Sequence, residues 1–132
     1  MDRSVAYVDA SAFVKLVVPE RESHALAAAT HAWQFASSVL LEVEAVRAVR
    51  RRLPDRAAAV RNLLRDVELV ELGAEIRLAA ATVPDPHLRS LDAIHLATAL
   101  SLGEHCATVF TYDDRLISAA QAHGLTVTVP QP

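Results

Sequence analysis

At 132 residues, the chain is long enough for one domain with its own core and too short for two, so residues 1–132 are expected to form a single domain. Hydrophobic residues make up 52% of it, but no apolar run reaches the roughly 18–20 residues of a membrane span, and the N-terminus lacks the basic start and long apolar stretch of a signal peptide. A single cysteine, Cys106, and a net charge of -3 exclude an internal disulfide and a uniformly basic surface, so the expected location is the cytoplasm, without membrane contact.

The first part of the chain, up to Pro54, alternates short apolar segments with helical patterns. A run with β-branched residues ends at Asp9, which is typical of a buried strand. Pro19 and Pro54 each end a helical pattern, because proline cannot continue a helix. In chain order, the predicted elements are strand 5–9, helix 11–18, helix 22–31, strand 34–37 and helix 39–52.

The rest of the chain continues this alternation and contains helix-end signals. Ser90 is predicted to cap a helix, and Gly103 and Gly124 follow two helical patterns, where glycine is common. The predicted elements are helix 56–65, strand 67–72, helix 75–82, helix 91–102, strand 108–112, helix 115–123 and strand 125–129. Apolar strands that alternate with helices predict an α/β fold, with a central parallel sheet of about five strands and helices on both faces.

Carboxylates occur repeatedly at the ends of predicted strands and in the first turns of predicted helices. They are Asp9, Glu42, Glu44, Asp92, Asp113 and Asp114. Because sites in open parallel sheets form at the carboxyl ends of the strands, we expect these acids to converge at one edge. Close carboxylates repel each other unless a cation joins them, and a hard divalent ion prefers oxygen ligands. Such an ion would activate water for displacement at a phosphodiester.

Each acid also has an explanation that needs no cation. Asp9 would cap the helix that follows it, and Asp92 would interact favourably with the dipole of its own helix. The acidic pair after the fourth strand would simply start the next helix. Glu42 and Glu44 lie roughly 200° apart around a helix, so they cannot both face one site. Their spacing alone leaves the choice between them open.

Four segments resemble the signature segments of PIN domains, and the closest similarity is to VapC-type toxins of bacterial toxin–antitoxin pairs. They are YVDASAFVKL (7–16), SVLLEVEAVRAVRR (38–51), RSLDAIHLATAL (89–100) and TYDDRL (111–116). Their order and spacing follow the family and span nearly the whole chain. The resemblance implies a single PIN-like domain, a divalent-metal-dependent endoribonuclease with Mg²⁺ or Mn²⁺ as cofactor, and RNA as substrate. It also implies a homodimer and a cognate antitoxin of the VapB type.

Carried over by position, the resemblance implies that the catalytic and metal-binding acids are Asp9, Glu44, Asp92 and Asp113. In the second segment the family acid follows a Val of the arrangement Ser-x-Leu-x-x-Val-Glu, which selects Glu44 over Glu42. In the fourth segment the acid follows Thr-Tyr, which selects Asp113 over Asp114.

Three neighbouring side chains have supporting roles in this interpretation, each with a simpler alternative. Ser11 would hydrogen-bond a site carboxylate or a metal-bound water, or else cap a helix. Lys15, the only lysine, would bind a phosphate or pair with a site acid, unless it is a plain surface residue. His95, one helical turn after Asp92, is expected to pack or to hydrogen-bond rather than to bind the ion.

Seven arginines lie between positions 47 and 65, opposed only by Asp55. Arg47 and Arg51 share the helix face of Glu44 and are predicted to contact RNA phosphates. The alternatives are a solvated helix face, or a surface that receives acidic residues of the antitoxin.

Two other functions are alternatives to a nuclease. One is a non-catalytic PIN-like domain that only binds RNA or a protein. The other is a phosphotransferase in which Asp9 becomes phosphorylated. Enzymes of the haloacid-dehalogenase type have a second acid two residues after the nucleophile, whereas this chain has Ser11. Receiver-like domains have their acidic pair at the first strand, whereas here it follows the fourth.

Overall fold

The structure, a computed structural model, describes residues 4–132. Its strands are β1 (Ser4–Val8), β2 (Trp33–Ser38), β3 (Val67–Val70), β4 (Cys106–Phe110) and β5 (Val127–Thr128). Its α-helices are α1 (Ala10–Phe13), α2 (Ser23–Ala29), α3 (Leu40–Arg52), α4 (Ala57–Leu64), α5 (Ala74–Ala81), α6 (Ser90–Ser101) and α7 (Asp114–Ala122). Short 3₁₀ turns adjoin α1, α2, α4 and α6: Val14–Leu16, Thr30–Ala32, Pro54–Arg56 and Gly103–His105. Within the described range, no helix is long and apolar enough to cross a membrane.

All five strands form one sheet in the order β3-β2-β1-β4-β5, and every neighbouring pair is parallel. The predicted α/β fold with a five-stranded parallel sheet is therefore confirmed. The chain builds the sheet outward from β1 to β3 and then returns to place β4 on the other side of β1. In sheets of this kind a crevice forms where the strand order reverses, outside the carboxyl ends of the two strands. Here those strands are β1 and β4.

The sheet separates two apolar layers, because alternate side chains of a strand point to opposite faces. Ala6, Val8 and Phe110 pack with α1, α2, α3 and α4 on one face. Tyr7 and Val109 pack against α6 on the other face, where α7 also docks and α5 lies against α6. Burying a side chain as large as Phe110 contributes about 1.5–3 kcal/mol. This packing holds the ends of β1 and β4 rigidly beside each other.

Two elements beside the carboxyl ends of the strands have other bounds than the sequence pattern predicts. The helix predicted over 11–18 is α-helical only to Phe13 and continues as a 3₁₀ turn. The strand predicted over 108–112 lies two residues earlier, at Cys106–Phe110. The loop after it is held by the Asp113 N–H, which donates to the Thr111 hydroxyl at 3.1 Å. Thr111 is thereby turned toward the edge of the sheet where the acids were expected.

The two glycines predicted to follow helices do so, whereas the serine predicted to cap a helix does not. Gly103 and Gly124 each lie two residues after the last residue of their helix, α6 and α7. Their φ angles of 57° and 81° are left-handed, a conformation that residues other than glycine rarely adopt. The prediction that Ser90 caps α6 is wrong. The extended backbone that a cap requires lies at Arg89, which makes no side-chain cap hydrogen bond, and Ser90 is already helical.

Candidate active site

A cleft of about 310 Å³ opens at the carboxyl ends of β1 and β4. It is lined by all four acids that the family resemblance implies: Asp9, Glu44, Asp92 and Asp113. They come from four places in the fold, namely the end of β1, helix α3, the first turn of α6, and the loop before α7. The other lining residues are Ala10, Ser11, Arg89, Ser90, Leu91 and His95. The fold thus brings the predicted acids together in one cleft.

Asp9 is the most deeply buried of these acids, with 4% of its surface exposed. Its Oδ1 accepts hydrogen bonds from the Ser11 hydroxyl at 2.7 Å and the Ala12 amide at 3.1 Å, and its Oδ2 accepts from the Thr111 hydroxyl at 2.6 Å. Burial raises the pKa of Asp9, while the bonds from Thr111 and Ser11 oppose that rise. Asp9 therefore caps α1 and lines the cleft at the same time.

Two hydroxyls tie the end of β1 to the loop after β4. Thr111 donates to Asp9 and accepts from the Asp113 amide, while Ser11 donates to Asp9 and accepts from the Tyr112 amide at 2.9 Å. Of the two expectations for Ser11, the contact with a site carboxylate is the one observed, since Asp9 itself is the helix cap. Thr111 was not among the predicted site residues, although it lies in the fourth signature segment, two residues before Asp113.

Asp92 and Asp113 lie close enough to repel each other. The pKa of Asp92 is raised to about 6, first by burial, then by the charge of Asp113 and a hydrogen bond with it, and then by the charge of Asp9. Asp113 also caps α7, because its Oδ1 accepts from the Arg115 amide at 2.9 Å. Asp114 is exposed and lines a different pocket. The geometry therefore favours Asp113 as the acid of the cleft.

The two glutamates of α3 face different surfaces, as their angular separation requires. Glu44 lines the acidic cleft, and its side chain is 21% exposed. Glu42 is exposed and lines a separate groove with Arg61 and Arg65. Of the two glutamates, Glu44 is therefore the one that lies with the other three acids in the cleft.

His95 lies behind Glu44 and is 2% exposed. Its Nε2 is 2.7 Å from Glu44 Oε1, and its Nδ1 is 2.6 Å from the Tyr7 hydroxyl. Burial by itself would lower the pKa of His95, but the hydrogen bond and charge of Glu44, followed by the charges of Asp9 and Asp92, raise it overall. His95 hydrogen-bonds, as expected. Its link to Glu44 was not predicted, because the two residues lie on different helices.

The donor chemistry of the cleft fits a hard divalent cation. Carboxylate oxygens are the ligands that Mg²⁺ and Mn²⁺ prefer, and a positive charge would offset the repulsion between Asp92 and Asp113. Among residues 4–132, no three His, Cys, Asp or Glu side chains form a ready-made metal cage. Mg²⁺ in particular needs none, since it binds through one or two carboxylates and keeps several waters. The cleft therefore fits such a cation through its carboxylate oxygens.

A larger groove of about 760 Å³ runs beside the cleft and shares Ser11 and Glu44 with it. Lys15, Arg47 and Arg51 line this groove, and both arginines are exposed. Basic side chains therefore adjoin the acidic cleft, in the arrangement that the shared helix face of Glu44, Arg47 and Arg51 predicts.

Lys15 has two acidic partners. Its ammonium lies 3.0 Å from Glu20 and 3.3 Å from Glu22, and 4.8 Å from the centre of the Tyr112 ring. Glu20 also pairs with Arg52. The expectation that Lys15 pairs with a cleft acid is wrong, because Glu20 and Glu22 are the acids within its reach. A phosphate contact stays a prediction for Lys15.

The sequence matches the PIN domain family over residues 6–122. Ribonuclease VapC35 of Mycobacterium tuberculosis is 43% identical and the match covers 94% of this chain and 96% of that protein. Ribonuclease VapC46 of the same organism is 38% identical with the same coverage of both chains.

Solved structures share the fold at lower identity. VapC20 of Mycobacterium tuberculosis, described as a sarcin-ricin loop cleaving toxin, has a TM-score of 0.75 at 17% identity, over 98% of this chain and 100% of that one. A chain of a toxin-antitoxin complex from Klebsiella pneumoniae has a TM-score of 0.73 at 20% identity, over 95% and 97%. At such identities the likeness concerns the fold alone.

Proposed function

This chain belongs to the PIN domain family, and from that membership we propose that it is a VapC-type toxin, an endoribonuclease that cuts RNA with a divalent cation. The observation that carries the proposal is the convergence of four carboxylates from distant parts of the chain in one cleft at the crevice of the sheet. Its relatives at 43% and 38% identity are named ribonucleases.

The residues that would hold Mg²⁺ or Mn²⁺ are Asp9, Glu44, Asp92 and Asp113. When bound, the ion supplies activation of water and neutralisation of charge at the phosphodiester. The protein orients its ligands: the hydroxyls of Ser11 and Thr111 fix both oxygens of Asp9, and the Arg115 amide fixes one oxygen of Asp113. Such outer hydrogen bonds reduce the freedom of a ligand and raise cation affinity.

Removal of divalent cations is expected to stop RNA cleavage. Purified protein incubated with single-stranded RNA and Mg²⁺ or Mn²⁺ should release fragments on a denaturing gel, and excess EDTA should prevent this until the cation is restored. The same preparation carrying Asp92→Asn controls for contaminating nuclease. Cleavage that persists in EDTA, and is absent with the Asp92→Asn preparation, would contradict the proposed mechanism.

The proposed RNA path follows the groove beside the cleft. Arg47 and Arg51 lie there with exposed guanidinium groups, next to Glu44. Phosphates attract basic side chains, and such contacts supply affinity without reading sequence. Lys15 would join this path when a phosphate replaces Glu20 or Glu22 as its partner.

Arg47→Ala and Arg51→Ala are each expected to weaken RNA binding and to flatten its salt dependence, by roughly 0.7 in log-log slope for each phosphate that the variant no longer binds. Fluorescence anisotropy of a labelled single-stranded RNA, titrated in EDTA at several KCl concentrations, measures both quantities. Arg50→Ala is the matched control, since Arg50 is exposed on the same helix and lies outside the groove. If neither variant differs from Arg50→Ala, the arginines are a solvated helix face.

We also propose a cognate antitoxin as protein partner, acting in the cytoplasm together with the RNA substrate. Val43 and Leu91 are 55% and 50% exposed and line the same groove as the two arginines. An antitoxin segment would cover the cleft if its apolar side chains packed on Val43 and Leu91 and its acidic side chains paired with the two arginines. The homodimer is proposed from family membership; exposed Leu78 on α5 and Leu100 on α6 are apolar positions available to a second copy.

The alternative of an aspartyl-phosphate enzyme is disfavoured by the surroundings of Asp9. Enzymes of the haloacid-dehalogenase type have a second acid two residues after the nucleophile, whereas here Ser11 stands at that position and its hydroxyl donates to Asp9 at 2.7 Å. A non-catalytic RNA-binding domain is the remaining alternative, and the EDTA experiment separates it from the proposal because such a domain would bind RNA without cutting it.

A further inference from the structure

We propose that Tyr7 and His95 form a buried hydrogen-bond relay that holds the Glu44 carboxylate in the cleft, which makes both of them positioning residues for cation binding. This inference rests on the proposed function, because Glu44 matters in this way only if the cleft binds a cation.

The relay runs through four elements of the fold. The Ser38 amide at the end of β2 donates to the Tyr7 hydroxyl at 3.1 Å, the hydroxyl lies 2.6 Å from His95 Nδ1, and His95 Nε2 lies 2.7 Å from Glu44 Oε1. Tyr7 and His95 are 0% and 2% exposed. A chain of hydrogen bonds in such a dry interior polarises its members and strengthens each bond.

The directions of the two outer hydrogen bonds follow from the groups involved, because an amide N–H can only donate and a carboxylate can only accept. The Ser38 amide can only donate, so the Tyr7 oxygen accepts there and its own proton is free to point at His95 Nδ1. When Nδ1 accepts, the neutral ring carries its proton on Nε2 and donates it to Glu44. A protonated ring also has a proton on Nε2. The donation to Glu44 is therefore the same in either charge state of His95.

Glu44 needs such a support more than the other acids do. Asp9 and Asp113 are short side chains held by neighbouring amides, whereas Glu44 has an additional rotatable bond and 21% exposure. Ordering a free Glu side chain costs rotamer entropy. His95 restricts Glu44 before the cation arrives, because the packed core already fixes the ring. Both ring nitrogens are engaged, so His95 acts through Glu44 and not as a ligand.

A simpler role for the pair is packing, since the Tyr7 and His95 rings also meet edge to face, with centroids 5.7 Å apart. Variants that keep bulk but change hydrogen bonding separate the two roles. His95→Leu removes the donor, His95→Gln keeps an N–H donor near the position of Nε2, and Tyr7→Phe removes only the hydroxyl. Thr108→Val is the matched control, because Thr108 is a buried hydroxyl that bonds Thr128 and the Thr126 carbonyl, away from the cleft.

The measurement is Mn²⁺ affinity of the intact protein by isothermal titration calorimetry, with the unfolding temperature recorded for every variant. His95→Leu is expected to weaken Mn²⁺ binding by about 10–100-fold, the usual effect of losing an outer-shell partner. Most of the affinity should return in His95→Gln. Tyr7→Phe should weaken binding several-fold, and Thr108→Val should leave it unchanged although it too loses a buried hydrogen bond. In a Glu44→Gln background, His95→Leu should have no further effect on affinity.

Wild-type affinity in both His95→Leu and Tyr7→Phe would overturn the relay. So would a reduction in these variants that is no greater than in Thr108→Val at equal loss of stability. If His95→Leu does not fold, Tyr7→Phe against Thr108→Val decides the matter by the same criterion. Wild-type protein that binds no Mn²⁺ would overturn the proposed function, whereas normal wild-type binding with unaffected variants overturns only the relay.

Discussion

Asp9→Asn and Asp92→Asn are each expected to lower the rate of RNA cleavage by at least about a hundredfold, the scale of losing one preorganised electrostatic group in an active site. Asparagine keeps the shape of each side chain but removes the charge that would hold the cation. It is also as good a helix cap as aspartate, so Asn at position 9 can still accept from the Ala12 amide. The fold should therefore survive, as circular dichroism would show, and single-turnover cleavage of a labelled RNA measures the reduction in rate.

Two matched pairs sharpen this prediction. Glu44→Gln should impair cleavage far more than Glu42→Gln, because only Glu44 lines the cleft. Asp113→Asn should impair it far more than Asp114→Asn, because Asp114 is exposed and lines another pocket. Equal activity within either pair would remove that acid from the proposed site. Loss of helical signal in Asp9→Asn would instead show that the fold needs the carboxylate itself at this position, since asparagine keeps the helix cap.

Asp92→Asn is also expected to stabilise the cation-free protein at pH 8 and to stabilise it roughly half as much at pH 5. The pKa of Asp92 rises on folding from 3.8 to about 6, so the folded protein holds this proton more tightly than the unfolded chain does. The free energy of unfolding consequently falls as pH rises from about 4 to about 6, by an amount on the order of 2 kcal/mol. Asparagine cannot ionise, so the variant escapes this decrease.

Thermal unfolding in EDTA at the two pH values measures the effect, and 2 kcal/mol corresponds to roughly 8 °C in a domain of this size.

Mn²⁺ should stabilise the wild type at pH 8 and have less effect on Asp92→Asn, because the cation offsets the same repulsion. The raised pKa of His95 also makes stability fall as pH rises, because its stabilising contribution is present in acid and disappears at higher pH. This holds for the wild type and for the variant. Asp114→Asn is the control. An Asp92→Asn protein destabilised equally at both pH values would show that the carboxylate serves a hydrogen-bonding role in the fold.

Much of the architecture could be predicted because it depends on local patterns. The apolar runs that became β1 and β4, the proline stop at Pro54, and the glycines after α6 and α7 each act over a few residues. Errors occurred where a distant contact decided a boundary. The strand predicted to reach residue 112 stops at Phe110, and Thr111 bonds to Asp9, 102 residues away in the chain.

For the candidate site, too, local patterns predicted some residues and distant contacts decided the roles of others. Its acids could be named from the signature segments and from their places at strand ends, although spacing alone did not choose between Glu42 and Glu44. Apart from Ser11, the residues that orient those acids could not be assigned to them. Thr111 and Tyr7 act through atoms of residues far away in sequence, and His95 reaches Glu44 across 51 positions.

The sequence by itself determined the α/β class, the parallel sheet, and the set of acids at the carboxyl ends of its strands, because strand burial, helix stops and residue chemistry are properties of short segments. Only the tertiary structure decided that β4 pairs with β1, and that Thr111, Tyr7 and His95 lie where they can hold the carboxylates in place. Those features depend on hydrogen bonds of about 3 Å between distant residues. The packing of helices on the sheet positions each element and so sets these distances. No local sequence pattern specifies them.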